Sequence, residues 1–357
     1  MNKDNFDIST SELYKRVNKQ IGLDNGIENI IFVYCPPKVG STSLVSSLRL
    51  SLNDTFHVKH IHDETMLKIV TGIENITIQG IINYNVFINK NVFVIDIYRE
   101  PLERKMSEYF GKLSAYHFNT TNKKISSYSI ERIVKRFNLI FPYIANEDHF
   151  YQRYDTHGIN KIFDFEKKHT CVKQKDKLTY LKLRLRDAFI WPEILEPYLG
   201  KKIVMIRDYE RNNLPLSELY NHFKKIYRIP ENLLYVIKND QSFQSYLSKD
   251  EQKDYLLNLT YRQTTPCKTM STNEYSIYKE ITDENQSMVD IETDHYFDEG
   301  CRCINCTKMR KYILIRIKNK QSVPTKLIHK EVKKYIQEHT VFQQSTYHTL
   351  PLNRFRR

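Results

Sequence analysis

Residues 30–52 read IIFVYCPPKVGSTSLVSSLRLSL, and the pattern changes twice within them. Ile30–Tyr34 is an unbroken apolar run rich in β-branched and aromatic residues, which predicts a strand buried on both faces of a parallel sheet. Two prolines and Gly40 then break it with turn chemistry. From Ser43 the apolar residues Leu44, Val45, Leu48 and Leu52 recur at helical spacing. Strand, tight loop and helix in this order form the opening unit of an α/β sheet.

The same alternation extends outward from this unit. FHVKHI (56–61) reads as a second strand and NVFVIDIY (91–98) as a third, with Pro101 placed to open a helix over Leu102–Leu113. Residues 127–199, including YLKLRLRDAFIWPEILEPYL (180–199), read as mostly helical. KKIVMIR (201–207) reads as a further short strand, followed by helices over Pro215–Tyr227 and Glu231–Leu259. Beyond Thr260 the chain turns polar. The expectation is an α/β three-layer fold, a central mainly parallel sheet flanked by helices, carried by residues 26–265. A flexible or helical segment at 1–25 precedes it, and a cysteine-containing basic extension at 266–357 follows.

Of 357 residues 40% are hydrophobic, enough for a large core, which excludes wholesale disorder. Lys and Arg number 55 against 42 Asp and Glu, and the formal charge of +13 favours acidic partners: nucleotides, anionic glycans, nucleic acid or anionic lipid surfaces. The first thirty residues lack the apolar core of a signal peptide, and no stretch approaches the roughly 20 apolar residues that span a bilayer. A soluble, cytoplasmic chain is the expectation. Six cysteines over this length are too sparse for a secreted disulfide scaffold.

In the opening unit, a loop between a buried strand and a helix points backbone N–H groups and the positive end of the helix dipole at whatever sits within it, and an anion fits there. Lys38 adds charge, Gly40 permits close backbone approach, and Ser41, Thr42 and Ser43 add hydroxyl donors. The same residues also suit a plain helix cap after a turn. The spacing is not that of a Walker loop, because the lysine precedes the glycine. A second segment, REPLERKMSEYF (99–110), directly follows the third strand. Arg99 leaves the strand end and Ser107 lies two helical turns on, so both can face one crevice at the carboxyl ends of the strands. An ordinary amphipathic helix with solvated charges is the alternative.

Together PPKVGSTSL and REPLERKMSEYF resemble the donor-binding signatures of sulfotransferases that use 3′-phosphoadenosine 5′-phosphosulfate (PAPS). The resemblance implies a P-loop-like fold, with Lys38, Gly40, Ser41, Thr42 and Ser43 on the 5′ side of the donor and Arg99 and Ser107 on its 3′-phosphate. PAP would be the product, no metal is required, and Glu100 replaces the family's usual Asp. Over residues 30–265 the chain is most similar to Golgi-type glycan sulfotransferases, above all the uronyl 2-O-sulfotransferases of heparan sulfate. HVKHIH (57–62) and YRQTT (261–265) contribute to that similarity. It implies a hydroxyl-bearing, anionic glycan acceptor, favoured over nucleic acid, and makes Arg262, Thr264 and Lys268 candidates for phosphate contacts.

Where that group has histidines before the third strand, this chain has Asn83 and Asn85, and asparagine cannot act as a general base. Strand alternation instead puts His60 and His62 on one face near the crevice, making His62 the first candidate base and Glu64 the second. Lys38 would meet the charge of the leaving group, and Arg184 and Arg186 could attract the acceptor. Cys301, Cys303 and Cys306 are compatible with free thiols, a disulfide or zinc. Two other functions fit the same residues: a nucleotide- or glycan-binding protein that has lost its base, and a P-loop phosphotransferase or nucleic-acid-binding protein.

Overall fold

The computed structural model describes residues 8–154, 163–174, 177–206, 216–260 and 263–284, with isolated positions at 315, 319 and 321. Along the chain run α1 (Ile8–Gln20), β1 (Asn29–Tyr34), α2 (Ser41–Leu52), β2 (Phe56–Ile61), α3 (Glu64–Thr71), α4 (Ile78–Phe87), β3 (Asn91–Tyr98) and α5 (Pro101–Gly111). Then come α6 (Asn122–Ile125), α7 (Ile130–Ile140), α8 (His149–Gln152), β4 (Thr170–Gln174), β5 (Leu178–Arg184) and α9 (Trp191–Leu199). The last are α10 (Ser217–Ile226), β6 (Ile229–Pro230), α11 (Glu231–Lys238), α12 (Gln241–Tyr246), α13 (Lys249–Thr260), β7 (Gln263–Thr264) and α14 (Thr272–Glu284).

The molecule is α/β, with five strands in the order β2-β1-β3-β5-β4, all parallel except β4. The chain leaves β1 through α2 to reach β2 on one side, then returns through α3 and α4 to β3 on the other. This reversal makes the carboxyl ends of β1 and β3 a topological switch point, the place where open α/β sheets carry their ligand crevice. The apolar strand runs reflect burial on both faces. Ile31, Val33, Ile95 and Leu181 pack against Leu44 and Leu48 of α2 and Trp191 of α9. Ile30, Phe32, Val94 and Tyr180 pack against Val17 of α1 and Ile81 and Ile82 of α4.

A third core cluster is helical and joins α5, α7 and α10–α13, with Phe110 and Phe137 each edge-on to Phe223. Residues 267–278, within the expected extension, lie against it: Tyr275 stacks on Tyr143 at 4.4 Å, and Tyr143 donates to the Met270 carbonyl. No helix among the described residues is long and apolar enough to cross a membrane.

Two sequence expectations are corrected. Within the expected helical stretch, residues 170–174 and 178–184 form strands β4 and β5, not helix, and all of β5 but Thr179 is buried. Lys182 and Arg184 are charges that a buried strand does not accept alone, but carboxylate partners allow both to be buried there. Conversely, the amides of Val204 and Ile206 join no sheet ladder. They donate to the hydroxyls of Ser51 and Ser47 on α2, at 2.8 and 2.9 Å.

Candidate functional site

The crevice is floored by the loop Cys35–Gly40. Lys38 and Gly40 both have positive φ, 68° and 87°. Gly40 is the N-cap of α2 and brings no side chain to its first-turn amides, so those donors face the loop. A Cβ on Gly40 would come within 2.5 Å of Leu185 Cδ1, so the loop passes tightly over the residue that follows β5.

The two sequence motifs meet here. Arg99, one residue past β3, donates through Nη1 to the Lys38 carbonyl at 2.9 Å, and Arg104 Nε reaches the Pro37 carbonyl at 3.4 Å. The Lys38 side chain crosses to α5, where a Cβ on Gly111 would come within 2.8 Å of Nζ. Ser107, buried, lies one turn earlier on that helix face. Lys38, from the first motif, is therefore brought against both Arg99 and α5, the helix that carries Ser107. The hydroxyls diverge. Ser41 is buried and its Oγ lies 2.9 Å from His60 Nε2, Thr42 is exposed, and Ser43 is half-buried.

The candidate bases differ from each other just as sharply. His60 and His62 do share a face, their rings in edge contact at 4.6 Å. The His62 Nδ1 bonds the Cys35 carbonyl at 2.7 Å. A carbonyl only accepts, so Nδ1 carries the proton and Nε2 is the ring's acceptor in its neutral form. Burial, reinforced by His62 and Arg49, holds His60 well below the ordinary histidine range. Glu64 is already engaged: Oε1 accepts from the Tyr34 hydroxyl at 3.1 Å and Oε2 pairs with Arg153 at 3.0 Å. Asn83 is exposed on α4, and Asn85 is buried in a reciprocal amide pair with Asn18.

A charged network under the crevice is absent from the sequence reading. Lys182 on β5 lies opposite Asp96 on β3 and bonds its carboxylate at 2.7 Å and that of Asp148 at 3.2 Å. Asp148 also accepts from Ser242 and caps α8, and Asp96 accepts from the Phe150 amide. Burial pushes the Asp96 carboxyl up to about 6, against the pull of Lys182. Lys182 itself is driven up: burial opposes its charge, but the two carboxylates outweigh burial. Helix α8 in turn fastens the end of β2, because His149 Nε2 donates to the His62 carbonyl at 2.6 Å and Tyr154 donates to the Tyr34 carbonyl. Asp96 was the available signal, a lone carboxylate inside the apolar run NVFVIDIY, which requires a buried partner. Asp148 and His149 carry no comparable mark.

The remaining expected contributors lie elsewhere. Arg184 is buried at the end of β5 and paired with Asp187 and Glu251, which removes it from acceptor attraction. Arg186 pairs with Glu100 and Glu251 at 3.3 Å each. Thr264 lies in β7, and Lys268 is exposed beside a cavity of about 430 Å³ between α7 and α10. Arg262 and Cys301, Cys303 and Cys306 lie outside the described residues. No family model matches the chain, and neither a curated protein nor a solved structure matches it significantly.

Proposed function

We propose that this chain is a PAPS-dependent sulfotransferase of P-loop-like fold, acting on a hydroxyl of an anionic carbohydrate. The observation that carries the reading is the junction of the two motifs, in which the Arg99 guanidinium is bonded to the Lys38 carbonyl and the Lys38 amine is laid against α5. One cationic wall thereby spans the phosphate loop and the helix carrying Ser107. A ligand with phosphate groups at both ends of a nucleoside suits such a wall better than one with a single phosphate cluster.

In the reaction, an acceptor hydroxyl oxygen attacks the donor sulfur while the bond from sulfur to the bridging phosphate oxygen breaks. The hydroxyl proton passes to His62 Nε2, and PAP departs with the electron pair of the broken bond. The α2 amides and Lys38 stabilise the charge accumulating on that phosphate, and Arg99 with Ser107 anchors the 3′-phosphate. Lys38 lies on the α5 side of the loop, so its charge serves both phosphate ends.

Calorimetric titration with PAP tests the donor site. Binding that Lys38→Ala and Arg99→Ala each weaken about tenfold or more supports it, and no binding by folded protein overturns it. Transfer of labelled sulfate from PAPS to uronate-containing glycans, lost in His62→Ala, tests the chemistry. A second reading, donor binding without turnover, draws on Asn83 and Asn85 standing where the resembled group has histidines and on Glu64 being tied to Tyr34 and Arg153. PAP binding with no transfer to any glycan would favour it.

A further inference from the structure

We infer that His60 is a positioning residue of the donor loop: its Nε2–H donates to Ser41 Oγ and so turns the Ser41 hydroxyl proton toward the bound phosphate. The inference rests on the donor-site reading above. Ser41 is the first residue of α2 and is buried, with its oxygen 2.9 Å from His60 Nε2. A hydroxyl carries one proton and two lone pairs, and Ser41 has two protein partners, His60 and the thiol of Cys35, which burial keeps protonated and able to donate; together they decide what Ser41 turns to a ligand. If His60 accepted, Ser41 would present a lone pair to an anion at the helix N-terminus, which is repulsive. With His60 Nε2–H and the Cys35 S–H filling its two lone pairs, the Ser41 proton joins the first-turn amides as a donor, in the field of the helix dipole.

Several groups around His60 bear on its charge. His62 lies in edge contact with its ring, and the Arg49 guanidinium belongs to the neighbouring helix α2. Both oppose a second proton, and burial opposes it more strongly, so the ring stays neutral and has a single N–H to place. Ser41 lies on Nε2 and takes it. His62, whose own proton is committed to the Cys35 carbonyl, keeps a separate duty as base. The two histidines of one strand end thus divide the work, one orienting the donor loop and one serving the acceptor.

Ring nitrogen shifts from ¹⁵N-histidine-labelled protein, without ligand, test the polarity directly. The inference expects the Nε2–H tautomer at His60, and an Nδ1–H tautomer overturns it whether or not PAP binds. PAP titration of variants supplies the functional arm. His60→Leu and Ser41→Ala should each weaken PAP about tenfold, and the double variant no more than either single. His60→Gln, which restores an N–H near the Nε2 position, should recover most of the loss. Additive losses, or no rescue by His60→Gln while His60→Leu stays folded by circular dichroism, would overturn the role. If the wild-type protein bound no PAP, the donor-site reading would fall instead, and the tautomer result would still stand on its own.

Discussion

The two sides of strand β3 are built on different principles. Toward β1 lies a loop whose chemistry is local: an αL lysine, a glycine cap and a helix N-terminus, all within six residues. Toward β5 lies Asp96–Lys182–Asp148, whose members are drawn from three distant segments and are almost wholly buried. The first side spends its stability on exposing donors, and the second on fixing a backbone. Helix α8 is the link, because it is capped by Asp148 and bonded to the carbonyls of His62 and Tyr34. Through α8, the strand ends beside the loop are held by a support that is ionic.

The largest expected effect breaks the second side. Lys182→Met leaves two buried carboxylates facing each other and should cost about 3–5 kcal/mol in urea unfolding, whereas adding Asp96→Asn and Asp148→Asn should recover much of it. If Lys182→Met alone were neutral, the network would not be a structural anchor.

Next comes pH. Burial lowers His149 to about 4 from its ordinary 6.5, with its bond to the His62 carbonyl opposing that shift. The folded state therefore binds fewer protons than the unfolded state between those values. Its contribution is complete above pH about 6.5 and is lost as pH falls toward 4, at about 3 kcal/mol in total. Unfolding curves of His149→Leu should show a shallower acid loss over that window, and an unchanged slope would remove His149 from the account.

On the loop side, Gly40→Ala should cost about 1–2 kcal/mol, because alanine at φ 87° is strained even if Leu185 gives way. The loss of PAP affinity should exceed what that destabilisation implies. The smallest effect is at Arg153, whose pair with Glu64 is partly exposed: Arg153→Met should cost less than about 1 kcal/mol.

The same contrast explains what could be read in the sequence. IIFVY, FHVKHI and NVFVIDIY announce their strands by unbroken or alternating apolar runs, and Pro101 and Gly40 mark helix starts by backbone chemistry that needs no distant partner. The loop and helix positions of Lys38, Arg99 and Ser107 are legible for the same reason. β5 was not, because Lys182 and Arg184 put charges into its apolar run, and Asp96, Asp148 and Glu251, which pair with them, lie elsewhere in the chain. The β2 end lies between these cases. Alternation put His60 and His62 together, but nothing local assigned His60 to Ser41 or Glu64 to Arg153.

The central claim is that Arg99 and the loop read two separated phosphates of one nucleotide. The most direct test is the ratio of PAP to adenosine 5′-phosphate affinity in the wild-type protein and in Arg99→Ala. The account predicts a wild-type preference for PAP of about tenfold or more that collapses toward unity in Arg99→Ala, with PAP binding weakened more than adenosine 5′-phosphate binding. Equal affinity for the two nucleotides in the wild-type protein, or a preference that survives the substitution, would contradict it.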